Sequence, residues 1–128
     1  MELQTMTPAD DWEPAPDTED AVLALGERDY EFHVWGGDWC IDCEDQLPAF
    51  GAALEYAGVD DDRIQHYPTE KEDDGSKTGP GVETYGIEFI PTVVVEHDGE
   101  EVARFVEAAE ESIAVTLGRK LRSATAAE

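Results

Sequence analysis

"YEFHVWGGDWCIDCEDQLP", Tyr30 to Pro48, is the stretch from which the rest of the chain is read. Tyr30 to Trp35 is rich in aromatic and β-branched residues over strand length, which predicts a buried strand. "GGD", Gly36 to Asp38, turns the chain. From Cys40 onward Leu47, Phe50, Leu54 and Ala57 recur at helical spacing until Gly58. The helix therefore starts at the cysteines, which are the only two in the chain. Pro48 falls in its interior, removes a backbone donor and predicts a kink.

Two thiols separated by two residues make a redox dithiol, half of a metal site, or a coincidence. At a helix start the free amides and the dipole favour negative charge on the Cys40 sulfur, which makes Cys40 the better nucleophile. Cys43 lies one turn on, close enough to attack a mixed disulfide formed at Cys40 and leave the pair oxidised. A structural zinc site usually takes four ligands, with a second C-x-x-C or a histidine pair. Here only Cys40, Cys43, His33 and His66 together would reach four, so no metal and no other cofactor is expected.

Working outward, residues 1 to 16 carry three prolines and no helical or strand period, and read as an acidic extended arm with Trp12 docked on the domain. Asp17 or Thr18 would cap a short helix bearing Ala21, Val22 and Leu25, with Gly26 placed to end it. Beyond Gly58, "RIQHYPTE" (Arg63 to Glu70) is a second strand and "KEDDGSKTGPG" (Lys71 to Gly81) a polar, unstructured loop. Val82 to Tyr85 is a short helical segment. "IPTVVVEHDGEEVARFV" (Ile90 to Val106) is a hairpin turning at Asp98-Gly99, a pair suited to a type I′ turn. A last helix has the stripe Ala109, Ile113, Leu117 and Leu121.

Strands separated by helices imply a parallel pair, and the hairpin adds antiparallel strands. The expected architecture is an α/β fold, a three-layer α/β/α sandwich on a mixed sheet with a C-terminal β-hairpin and a final helix. The domain should span 17–122, between the 1–16 arm and a polar 123–128 tail.

The 128 residues suit one domain, but 32 acidic against 8 basic side chains give a formal charge of -24. Carboxylates repel phosphate backbones and acidic headgroups, which excludes nucleic acid and anionic membrane as partners. The acids are interleaved with apolar periodicity from Glu2 to Glu128, as on the surface of a salt-adapted, halophilic protein. Like-charged copies repel, so a monomer is expected. "MELQTMTPADDWEPAP" has neither a basic region nor an apolar run, and no stretch approaches the ~18 apolar residues of a spanning helix. A cytoplasmic protein follows, and in a reducing compartment an adjacent thiol pair is catalytic or metal-binding rather than a staple.

Three motifs in order, "VWGGDWCIDC" after a strand, Pro48 within the following helix, and "YGIEFIPTVVV" before a "DG" hairpin, resemble the thioredoxin family over about residues 20 to 121. The resemblance implies a disulfide reductase acting on protein substrates and recharged by an unidentified reductase. It makes Cys40 the attacking cysteine, Cys43 the resolving one, and Pro91 a cis-proline against the dithiol. Ile90 would offer backbone hydrogen bonds to substrate, and Trp39 would flank the site. Ile41-Asp42 stands where thioredoxins have Gly-Pro, and with Asp38 and Glu44 nearby this acidic setting argues for a reductant. The buried proton acceptor of many thioredoxins falls on His33 if "GGD" holds one extra residue, and on Val34 if it does not. Competing readings are a dithiol peroxidase or isomerase on the same fold, and an adaptor in which the dithiol is incidental. A peroxidase would show threonine and arginine near Cys40, which are not evident.

Overall fold

The structure is a computed structural model that describes residues 6, 8–9, 12–27, 29–37, 40–71, 77–79, 81–106 and 112–126. The Tyr30–Trp35 run forms β1 (Glu31–Gly36), which the chain leaves through Gly37 to enter α2 (Ile41–Tyr56). Before it come α1 (Glu19–Ala24), and after it β2 (Ile64–Pro68), α3 (Val82–Tyr85), β5 (Thr92–His97), β6 (Glu100–Val106) and α4 (Ile113–Ala126). Two short strands, β3 (Glu70–Lys71) and β4 (Lys77–Thr78), lie between β2 and α3.

The main sheet has the order β2-β1-β5-β6. β1 and β2 are parallel, with Val34 beside His66, while β1 to β5 and β5 to β6 are antiparallel. The β5–β6 turn has Asp98 at φ 54 and Gly99 at φ 83, the positive pair that a type I′ turn requires.

Strand alternation sorts the two faces. Phe32 meets Phe50 of α2 edge-on, ring centroids 6.2 Å apart, so Phe32 and Val34 face α2. His33 and Trp35 therefore point the other way, where they stack with Tyr67 of β2 and Tyr85 of α3. α1, α2 and α4 pack on one another over the first face. The three layers are present but unequal, with three helices on one side and the single turn of α3 on the other. The apolar stripe Cys43, Leu47, Phe50 and Leu54 is buried beneath α2, with Val93, Val95, Phe105, Leu117 and Leu121 in the same core.

Several expectations need correction. In the 1–16 arm Trp12 docks as expected, meeting the Tyr56 ring edge-on, and the described residues add two contacts that were not expected: Met6 is buried in the core and the Ala9 amide donates to the Pro48 carbonyl at 3.2 Å. An isolated methionine has no periodicity to announce its burial. Thr18 holds the N-cap position of α1 but caps nothing with its side chain, because its hydroxyl donates to the Ala15 carbonyl at 3.0 Å. Gly26 follows α1 because a side chain there would strike the Ala57 carbonyl at the end of α2. The 71–81 loop is in part a two-stranded ladder, with Glu70 opposite Thr78. α4 runs from Ile113 to Ala126, so the helix reaches into the segment read as a polar tail. Ala109 lies outside the described residues. Among the described residues no helix is long and apolar enough to cross a membrane.

Candidate active site

Cys40 ends the connection from β1 and is the N-cap of α2, with extended backbone at φ -93 and ψ 122. Its amide donates to the Gly37 carbonyl at 3.0 Å, closing the turn, and its carbonyl accepts the first helical bond, from the Glu44 amide, at 3.0 Å. Its side chain is half-buried. Cys43, one turn on, is 0 % exposed and faces the sheet in the apolar stripe of α2. Both are thiols. Residues three apart at a helix start have Cβ atoms about 5–6 Å apart, which a small closing movement brings to the ~3.8 Å of a disulfide.

The second part of the site comes from β5. The Ile90–Pro91 peptide bond is cis. Thr92, the next residue, stands opposite Trp35 in the β1–β5 register, so Pro91 sits at the strand end from which the chain passes to Cys40. The Thr92 hydroxyl donates to the Phe89 carbonyl at 2.6 Å, holding the bend before the strand. Ile90 and Pro91 are buried, whereas Phe89 is 48 % exposed. Thr69 fastens the neighbouring strand end, its amide and hydroxyl both donating to the Gly36 carbonyl, at 2.8 and 3.1 Å. The carboxyl ends of two parallel strands thus frame the dithiol, the usual place for chemistry on an open α/β sheet.

Trp39 and Asp38 lie outside the described residues, as does the Asp42 side chain. Glu44 is exposed. Phe89 was missed in the sequence because a lone aromatic in "IEFIPT" carries no periodicity; its exposure beside Ile90 is what marks it.

The histidines are placed apart from the dithiol. His33 projects from the face of β1 opposite α2, where Nδ1 is in hydrogen-bond contact with the Tyr67 hydroxyl at 2.8 Å and Nε2 lies 2.7 Å from a Glu96 carboxylate oxygen. Strand alternation therefore decides between the two alignments in favour of Val34, a fully buried apolar residue on the α2 face. His66, beside Val34 in the β1–β2 register, belongs to that same α2 face. It lines a groove of about 570 Å³ with Met6, Gly51, Val59 and Ile64, beside the C-terminal half of α2 and away from both cysteines. His33 and His66 thus project from opposite faces, and the four-ligand set with Cys40 and Cys43 does not assemble. His97 is half-buried against Tyr30, ring centroids 5.6 Å apart.

Burial, reinforced by the Glu96 and Glu31 carboxylates, pushes the Tyr67 phenol above its ordinary range. The same burial and a hydrogen bond to Glu96 raise Tyr85. Both groups belong to the aromatic wall around His33, not to the dithiol.

No protein-family model and no curated protein matches the sequence. Solved structures do. Mitochondrial thioredoxin 3 from Saccharomyces cerevisiae, in its oxidised form, superposes with a TM-score of 0.51 at 15% identity, over 77% of this chain and 82% of that one. A protein of unknown function from Pseudomonas aeruginosa superposes with a TM-score of 0.52 at 22% identity, over 88% of this chain and 73% of that one.

The chain has the thioredoxin fold.

At these identities the likeness is one of architecture. Within a thioredoxin fold, the cysteine pair occupies the start of the helix that follows the central strand β1, and the cis-proline precedes the strand antiparallel to it. The thioredoxin fold of this chain thus carries a cysteine pair at the start of α2 and a cis-proline before β5.

Proposed function

We propose that the protein is a thiol-disulfide oxidoreductase that reduces protein disulfides through Cys40 and Cys43. The observation that carries this reading is the asymmetry of the pair: one thiol half-exposed at a helix N-cap, the other fully buried one turn later. The Cys40 thiolate attacks one sulfur of the substrate disulfide, forming a Cys40–substrate bond and expelling the other sulfur as a thiolate. Cys43 then gives up its proton and attacks the Cys40 sulfur, releasing the second substrate thiolate and leaving a Cys40–Cys43 disulfide. Two electrons pass from protein to substrate, and an external dithiol reductase must return them.

The even-numbered residues of β1 beneath α2 are Phe32, Val34 and Gly36, none of them titratable. The Cys43 proton therefore goes to water or to the departing substrate thiolate, and His33 takes no part in the exchange. Pro91, the Ile90 backbone and Trp39 are assigned to substrate binding, to which we add the exposed ring of Phe89. We place the protein as a monomer in a salt-rich cytoplasm.

Insulin-disulfide reduction with dithiothreitol in molar salt tests the reading. The wild type should accelerate insulin precipitation, and Cys40→Ser should return it to background. A folded wild type that stays at background, or a Cys40→Ser variant as active as wild type, would refute it.

A further inference from the structure

Glu31, His33 and Glu96 lie together on the face of the sheet that α2 does not cover. Glu31 and Glu96 are direct cross-strand partners on β1 and β5, and His33 is two residues along β1, so all three side chains leave the sheet on one side. One atom from each, His33 Nε2 and a carboxylate oxygen of either glutamate, lies within 4.8 Å of the others. Nε2 is 2.7 Å from Glu96 Oε1 and 3.8 Å from Glu31 Oε2.

The independent sign of a ligand is His33 itself. Its side chain is only 9 % exposed, yet Nε2 makes no hydrogen bond among the described residues. The 2.7 Å approach of Glu96 is a contact of ion-pair length, but the oxygen stands off the direction in which an Nε2–H could donate. In the tautomer whose Nδ1–H donates to Tyr67, Nε2 carries a lone pair and lies 2.7 and 3.8 Å from carboxylate oxygens that also carry only lone pairs. Such a convergence of acceptors is repulsive unless a cation lies between them.

The outer contacts fit the same arrangement. A metal-ligating histidine commonly uses its other nitrogen in a hydrogen bond that fixes the ring. Here Tyr67 does this at 2.8 Å, while Tyr85 donates to the other Glu96 oxygen at 3.1 Å, leaving Oε1 for the centre. Trp35, Tyr67 and Tyr85 pack around the imidazole and restrict its rotation. Glu96 is 17 % and Glu31 63 % exposed, so the cluster opens to solvent on the Glu31 side, where an ion can enter. With bonds of about 2.0–2.2 Å, ligands around zinc stand roughly 2.9–3.5 Å apart, and the two distances at Nε2 bracket that spacing. Glu101, the nearest further carboxylate in register with Glu96, is held by Arg104 and is not available as a fourth ligand.

We propose that Glu31, His33 and Glu96 form a binding site for a divalent transition-metal ion, separate from the dithiol. One imidazole and two carboxylates suit zinc, cobalt or manganese rather than magnesium or calcium, and three protein ligands leave a coordination position for water. The site lies on the opposite face from α2 and at the far end of β1 from Cys40. Metal there would draw β1 and β5 together without engaging either thiol.

The test is calorimetric titration of zinc chloride into full-length Cys40→Ser/Cys43→Ser protein, a background in which thiols cannot compete. Excess magnesium chloride and molar sodium chloride occupy the acidic surface. The expected result is saturable binding at a single site, with a rise in melting temperature, weakened more than roughly tenfold by Glu31→Gln and by about tenfold by Tyr67→Phe. Glu31 is exposed, so its variant should fold, which far-ultraviolet dichroism would confirm. His33→Gln, if it folds, should abolish binding. No zinc binding above the magnesium background, or single-site binding that Glu31→Gln leaves intact in folded protein, would overturn the proposal.

Discussion

At the scale of single residues, the account rests on which way a side chain points. Cys40 and Cys43 were legible in the sequence because their spacing and a helix start are both local properties. The choice between His33 and Val34 was not, because one residue of register moves a side chain to the opposite face of a sheet, and the turn through Gly36 and Gly37 hides that residue. Phe89 offers the clearest prediction at this scale. Replacing it by serine should raise KM for a protein disulfide several-fold with little change in kcat, and leave a small disulfide such as oxidised dithiothreitol unaffected. Equal effects on both substrates would remove Phe89 from the binding surface. In the core, Phe50 joins α2 to Phe32 of β1. Phe50→Ala should cost about 3–5 kcal/mol in denaturant unfolding, and a loss well under that would mean the α2 interface collapses to fill the space.

At the scale of elements, packing between helices decides what propensity alone does not. Gly118 lies in the interior of α4, where alanine would ordinarily gain about 1 kcal/mol. A Cβ there would fall on the Ala21 carbonyl of α1, a backbone atom that cannot rotate away. Overpacking of this kind costs about 1–3 kcal/mol or more, so Gly118→Ala should be net destabilising; a gain in stability would show that α1 and α4 are less tightly apposed. On β6, both Glu101 oxygens accept hydrogen bonds from Arg104, at 2.8 and 3.0 Å, and this pulls the Glu101 carboxyl below its usual range. The pair's contribution is fully present above the ordinary glutamate pKa and is lost as pH falls through the lower folded value. Because the pair is partly solvated, Glu101→Gln should cost only about 0.5 kcal/mol at pH 7, with the difference from wild type closing below about pH 4. A cost that stays constant with pH would point to packing in place of charge.

At the scale of the whole molecule, the charge of -24 and the fold answer different questions. The order of strands and helices followed from hydrophobic period and turn chemistry, which is why the sandwich and the Asp98-Gly99 hairpin were readable. The burial of Met6, a residue of the arm, in the core and the unequal helix layers were not, since they depend on contacts between segments distant in sequence. Charge acts on stability. At about 1 M salt the Debye length falls to ~3 Å and most self-repulsion is screened, so melting temperature should climb steeply from low to molar sodium chloride. Equal midpoints would refute salt adaptation while leaving the site untouched.

The most direct measurement of the central claim is chemical trapping. Cys43→Ser protein is mixed with a disulfide substrate, quenched with a thiol-alkylating reagent and digested, and the peptide carrying the substrate adduct is identified by mass spectrometry. The account predicts a stable mixed disulfide on Cys40, and none on Cys43 when Cys40→Ser is treated in the same way. An adduct on Cys43, or no adduct on Cys40 in folded protein, would contradict it.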